Sequence, residues 1–383
     1  MNIPRSFVLV IATACLTAPL HAQVKKIKAG PVKVPVQQQE PLFHDSHFHL
    51  TNYIQEGITA QYYLDSIMRT QVGRSTLFGI PLQQQWSHRV TGENAPTYYL
   101  ESDAPLYYYS FTDAYIAMQY RSLKPDEQKR IDPMITGFNP TDMYAADHIR
   151  RVLLTFPGVF TGIGEFSIHK EFVSSKVSGD VASLTDPALD RILEFCAEAG
   201  LVVILHNDID NPFPKPGAPN YLDGVKDLVR RHPNTTIIWA HLGVGRVVHP
   251  LKDQVNAIEA MLQDPTLKNL YFDISWDETA KYIVATDTTV ARSIRVLEAY
   301  PDRFLMGTDN VAPATQEKHL KVYHLYEPLW TKLTPATSQA VRFGNYERLF
   351  DAARAKVRAW EAANVGKPQP IPAPTPASGA PRH

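Results

Sequence analysis

Cysteine is nearly absent from this chain, with two among 383 residues, Cys15 and Cys196. Cys15 lies in the N-terminal leader, so the folded part keeps one thiol and no internal disulfide is expected to brace it. No charge sign dominates either: 38 Lys and Arg face 39 Asp and Glu. That balance gives no electrostatic footprint for nucleic acid or an anionic membrane surface. The apolar run Phe7–Leu16 is too short to span a bilayer in the usual way. Arg5 precedes it and Pro19-Leu-His-Ala22 follows. This is the layout of a secretory signal peptide cleaved after Ala22, without a membrane anchor. The mature protein is therefore expected in the periplasm or outside the cell.

Composition is otherwise that of a globular enzyme-sized chain, 44% hydrophobic and 20% charged. Residues 1–22 form the signal peptide, 23–40 a solvated leader, and 41–365 one folded domain. Residues 366–383 are a Pro-rich tail that cannot form helix or sheet. Cys196 joins Leu189, Ile192 and Leu193 at helical spacing within Asp186–Ala199, and Gly200 supplies the C-terminal cap. It belongs to a core face.

What the chain does have is a set of ligand-type side chains at the ends of apolar runs. The first is Asp45-Ser-His47-Phe-His49, within Pro41–Leu50. Alternation along a strand would put Asp45, His47 and His49 on one face. Two imidazoles side by side on a strand make half of a metal site. Leu201–His206, Thr235–His241 and Arg303–Asp309 read as strands buried on both faces, each ending in a ligand. In Phe160–His169, alternation places Glu165, Ser167 and His169 together.

Spacing organises these runs. Glu165 to His206 is 41 positions and His206 to His241 is 35, one strand–helix unit each. His241 to Asp309 is 68, two units, with the intervening strand at Asn269–Trp276. His49 to Glu165 is 116, three units plus an insertion. Strand 2 is expected at Ser75–Ile80 and strand 3 at Ile131–Phe138. Apolar stripes at Tyr221–Val229 and Val255–Leu262 supply helices before strands 6 and 7. The fold class is α/β, a (β/α)8 TIM barrel whose active site lies at the C-terminal ends of its strands. An aromatic-rich insertion at about 83–130, between strands 2 and 3, would rise over that mouth as a lid or a small subdomain.

The set Asp45-x-His47-x-His49, Glu165, His206, His241 and Asp309 resembles the amidohydrolase superfamily. Ala240-His241-Leu-Gly243, Gly245-Arg246 and Gly344-Asn345-Tyr-Glu-Arg-Leu-Phe350 are similar to its amidohydrolase 2 (amidohydrolase-related) family. The likeness covers roughly residues 41–352. It implies a divalent metal, zinc above others, as one or two ions held by His47, His49, Glu165, His206 and Asp309. His47, His49 and Asp309 supply a first site, completed by His206 or by Glu165; with one ion and no bridge, His206 completes it and His241 stabilises a developing oxyanion. With two, Glu165 bridges them, as in TatD-like barrels. Asp309 and His241 are the catalytic candidates, with Asp309 moving the proton.

Arg246 and His169 are candidates for binding a small-molecule substrate, and homo-oligomerisation stays open. Asp45 is expected to hold a neighbour in place, and Asp273 and Ser275 to point inward on strand 7. The implied activity is hydrolysis of an amide, ester or lactone by activated water. Decarboxylation of an aromatic acid and two-metal phosphoester hydrolysis are the alternatives.

Overall fold

The computed structural model describes residues 40–52, 57–80, 111–171 and 182–368. The signal peptide, nearly all of the leader, the tail beyond residue 368 and residues 83–110 of the expected insertion lie outside them. Residues 111–128 carry the helix Phe111–Arg121 and the short helix Pro125–Gln128, which lead into the next strand.

Among the described residues ten strand segments occur in chain order: β1 Phe43–Asp45, β2 Phe48–His49, β3 Val72–Leu77, β4 Ile131–Ile135, β5 Gly162–Ser167, β6 Val202–His206, β7 Ile237–Trp239, β8 Leu270–Asp273, β9 Phe304–Leu305 and β10 Asn310–Val311. Eight form one sheet in the order β1-β3-β4-β5-β6-β7-β8-β9, every pairing parallel. β10 pairs in parallel with β2, Asn310 beside Phe48 and Val311 beside His49, so the last strand returns to the first. With helices between the strands, this is a TIM-barrel-like sheet. The eight strands of this sheet fall at or near their expected places. β3 starts three residues earlier than expected, because Val72 and Leu77 both bury their side chains.

Alternation along the strands separates two cores. Val203, Leu205, Ile237 and Trp239 pack outward with the helices. Their neighbours Val202, Ile204 and Ile238 join Phe78, Met134 and Leu305 in a second core. Tyr346, Leu349 and Phe350 of the C-terminal helix Asn345–Asn364 pack into that second core. This accounts for the Gly344–Phe350 motif. Asn345 Nδ2 donates to the carbonyls of Pro301 and Phe304, at 2.7 and 2.8 Å. Tyr346 donates to Asp132 at 2.8 Å, and the buried Asp132 also pairs with Arg74 and Arg354.

Helix Pro187–Ala199 buries Leu189, Ile192, Leu193 and Cys196 as its spacing demands. It ends at Gly200, whose φ of 79° is the left-handed turn that suits glycine.

The first strand departs from the expected alternation. It breaks at Ser46-His47 between β1 and β2, and the β1–β3 register shifts just before, between Phe43 and Asp45. Phe43, Phe48 and Leu50 face the outer core, so His47 and His49 turn inward while Asp45 lies outside with Phe43. Asp45 is therefore not on the face of the two histidines. It ties the last strand to the first, accepting from Thr308 N at 2.8 Å, Thr308 Oγ1 at 2.7 Å and His47 N at 3.1 Å. His319 Nε2 stands 3.3 Å away. Gly307 permits the same approach, since a Cβ there would fall 2.8 Å from His47 Cβ.

Asp45→Ala should lower the free energy of unfolding by roughly 3 kcal/mol, because three buried donors lose their acceptor. Denaturant unfolding checks it, and a change under 1 kcal/mol would mean that the strands are held otherwise.

Candidate metal centre

Local irregularities aim the site residues inward. His206 ends β6 in step with Val202 and Ile204, so alternation alone brings it in. On β5 the pairing shifts between Ile163 and Phe166, both of which face the outer core. This bulge turns Glu165 inward, as bulges do when they re-aim a side chain. By simple alternation from Ile238 and Ala240, His241 would face outward. A short turn, Ala240–Gly243, follows β7, and His241 and Leu242 take φ of 54° and 55°. Trp276 and Asp309 are also left-handed, at 76° and 52°. Such conformations cost about 1–3 kcal/mol each and concentrate at functional sites.

The result is a buried cage of imidazoles and carboxylates. His49 Nε2 lies 3.0 Å from Asp309 Oδ1, and His47 Nε2 lies 3.3 Å from the same oxygen. Glu165 Oε2 stands 3.5 Å from His49 Nε2 and 3.8 Å from His47 Nε2. Its other oxygen, Oε1, is 2.6 Å from His206 Nδ1 and 3.1 Å from His241 Nε2. Two ligand groups thus share one carboxylate: His47, His49, Glu165 and Asp309 on one side, Glu165, His206 and His241 on the other. Of the two residues expected to complete the site of His47, His49 and Asp309, His206 is not in that grouping. Glu165 takes the fourth place, while His206 sits across it.

A layer behind these residues fixes the rings. His47 Nδ1 donates to Asp273 Oδ2 at 3.0 Å, and His241 Nδ1 donates to Ser275 Oγ at 2.7 Å. Ser275 Oγ in turn donates to Asp273 Oδ1. His206 Nε2 is held by Asp208 at 3.0 Å. Asp273 and Ser275 point inward from β8 and the residues after it, as their i, i+2 spacing foretold, but their role as ring orienters was not legible. Asp208 was missed as well. Asp208 lies two residues past a strand-end histidine, the one signal available for it. Lys170 Nζ approaches Glu165 Oε2 at 3.9 Å.

These bonds make a test of fit for a metal. With Nδ1 protons turned outward, the Nε2 lone pairs of His47 and His241 face carboxylate oxygens. Buried lone pairs aimed at buried carboxylates are satisfied by a proton or by a metal ion between them, and the donor set suits the ion. His47 Nε2 is buried with no hydrogen-bond partner among the described residues. Imidazole and carboxylate donors suit a divalent ion of the zinc type.

Electrostatics agree. Burial opposes the charge on Asp309, yet His47, His241 and His49 hold its carboxyl well below the usual range. Glu165 is likewise held low against burial by Lys170 and His206. Burial lowers His47, but Asp309 and Asp273 outweigh it and raise that imidazole well above its ordinary value. Burial and Lys170 push His206 down, while Glu165 and Asp208 bring it up to about 9.

The two substrate candidates are placed differently. Arg246 lies over the Trp276 ring, 5.4 Å from its centroid, and that ring is 5.1 Å from the His241 ring. His169 stacks flat on Tyr221, with centroids 3.9 Å apart and 4° between planes. Burial lowers its pKa to about 4, so it carries no charge at neutral pH.

A family model described as Amidohydrolase (Amidohydro_2) matches residues 126–352, more than half of the chain. The chain belongs to the amidohydrolase family. It is an enzyme of that hydrolytic family, and its clustered ligands are consistent with a divalent metal. Several solved structures are similar to this amidohydrolase. One is a protein provisionally named 2-pyrone-4,6-dicarboxylic acid hydrolase from Pseudomonas putida: 15% identity, 82% of this chain, 99% of that chain, TM-score 0.49. A 2,6-dihydroxybenzoate decarboxylase from Rhizobium shows 14% identity over 82% and 99%, TM-score 0.48. A dihydroorotase from Campylobacter jejuni shows 14% over 81% and 83%, TM-score 0.48. No curated protein matches the sequence. Among the described residues no helix is long and apolar enough to cross a membrane.

Metal loading must displace the protons that His47 and His206 hold in the ion-free chain. Apparent affinity for Zn²⁺ should therefore rise between pH 6 and pH 8, with proton release on binding. Calorimetric titration in two buffers of different ionisation enthalpy measures both, and a pH-independent affinity would contradict the ligand assignment.

Proposed function

We propose that this amidohydrolase is a metal-dependent hydrolase of amide, ester or lactone bonds, with two zinc-type ions bridged by Glu165. The observation that carries this reading is the position of the two Glu165 oxygens, one beside His47 and His49, the other beside His206 and His241. When bound, such ions supply a water of near-neutral pKa and polarise the oxygen of the scissile group. His47, His49 and Asp309 hold the first ion, and His206 and His241 the second.

Asp309 has a further task. Its Oδ1 faces His49 and His47, while its Oδ2 stands 3.7 Å from His241 Nε2. One oxygen can bind while the other accepts a proton from the attacking water and returns it to the leaving group. Trp276 and Arg246 form a stack leading outward from His241, which suits a substrate with a flat or apolar portion and an anionic end. His169, uncharged on Tyr221, serves as a wall of the pocket. Export through residues 1–22 fits a substrate met outside the cytoplasm. The bridging position of Glu165 also favours a second reading, phosphoester hydrolysis, since paired ions suit in-line displacement.

Elemental analysis of the loaded protein should give two ions per chain, and Glu165→Gln should lose one. A single ion retained in both forms would remove the bridge. Against a panel of esters, lactones, phosphoesters and carboxylated aromatics, Asp309→Asn should cut turnover on the active class by about 10²–10⁴-fold, the usual contribution of an acid–base group. A variant within threefold of wild type would take Asp309 out of the proton path, and carbon dioxide release in place of hydrolysis would overturn the proposed chemistry.

A further inference from the structure

A cleft outside the sheet has features that the metal centre does not use. It lies among the helices Gln254–Gln263, Asp277–Ile283 and Asp287–Ala299. Its outer part encloses about 430 Å³, with Lys252, Asp253, Arg292 and Arg295 among its lining residues. An inner chamber of about 50 Å³ shares Leu242, Val255, Ile258, Ile283 and Ser293 with it and ends against Ile274 and Phe304. Apart from Ser293, every residue lining that chamber is apolar. None of the metal-ligand candidates lines either part.

The charges of the outer part are unevenly satisfied. Arg295 is held by Glu259 through two bonds of 2.6 and 2.8 Å. Lys252 and Arg292 are exposed and have no hydrogen-bond or ion-pair partner among the described residues. Asp253 is the one carboxylate lining the outer part. Two unpaired cations over an apolar slot match a ligand with an anionic head and a short apolar tail.

The cleft also touches the turn that carries His241. Gln254, buried in the cleft wall, donates from Nε2 to the Leu242 carbonyl at 2.7 Å. Thr279, in the same wall, donates to the His241 carbonyl at 3.4 Å. Leu242 lines both parts of the cleft directly. A molecule seated there presses on the same residues that hold His241 in its left-handed conformation.

We propose that this cleft binds a single-chain amphipathic carboxylate. The tail enters the inner chamber and the carboxylate lies between Lys252 and Arg292, and occupancy shifts the His241 turn. The binding site stands apart from the catalytic reading, whereas its coupling rests on His241 being a metal ligand.

Calorimetric titration of the whole protein with octanoate tests it, the metal content being measured directly in the same samples. One saturable site per chain is expected, with octanol at least tenfold weaker. The double variant Lys252→Ala/Arg292→Ala should weaken octanoate at least tenfold at an unchanged thermal midpoint, because both side chains are exposed. Ser293→Phe should abolish binding by filling the neck of the chamber. Octanoate affinity should differ at least threefold between metal-loaded and chelated protein, and Zn²⁺ affinity should shift by the same factor with octanoate present, as reciprocity requires. No saturable binding up to 1 mM, or binding untouched by the double variant, would overturn the site. Equal octanoate affinity in protein shown to carry metal and protein shown to lack it would overturn the coupling.

Discussion

Glu165 is the side chain on which the centre depends. Buried carboxylates without countercharge are costly, and a carboxylate reaching two imidazole pairs settles its own charge and theirs together. The residues around it are arranged to keep that geometry. Asp273 aims His47 directly and His241 through Ser275, while Asp208 braces His206 from behind. These outer bonds choose which ring nitrogen faces inward, and so decide whether four histidines are ligands or only buried polar groups.

The frame around the cage serves the same end. Parallel strands deliver their C-terminal ends to one side, and the site residues sit within or just past those C-terminal ends. Regular pairing would carry Glu165 and His241 to the wrong face. A bulge corrects the first and a left-handed turn corrects the second, so the departures from ideal geometry lie where chemistry needs them. Deeper in, Asp45 and Gly307 hold the first and last strands together, which keeps His47 and His49 in register with Asp309.

Arg246 shows how a surface cation is ordered close to the cage without touching a ligand candidate. Its guanidinium lies on Trp276, and Trp276 lies against His241. Cation and ring attract through the ring's quadrupole, which orders a long side chain beside Trp276. His169 does the reverse: stacking on Tyr221 and burial keep it neutral.

Apolar runs at unit spacing, each closing on a ligand-type residue, were enough to name the strands, the barrel-like sheet and every member of the cage. They were enough because strand period and strand–helix length are local properties of the chain. Asp45 escaped that logic, since whether a strand runs unbroken through Ser46 is decided by its partner strands and not by its own residues. The grouping of ligands escaped it for the same reason. His206 and Glu165 are equally eligible in sequence, and only the distance between neighbouring strands gives the fourth place beside His47, His49 and Asp309 to Glu165. Orienting residues such as Asp208 and Asp273 became visible only in three dimensions, because hydrogen bonds between strands depend on distances of an ångström that no spacing in the chain records.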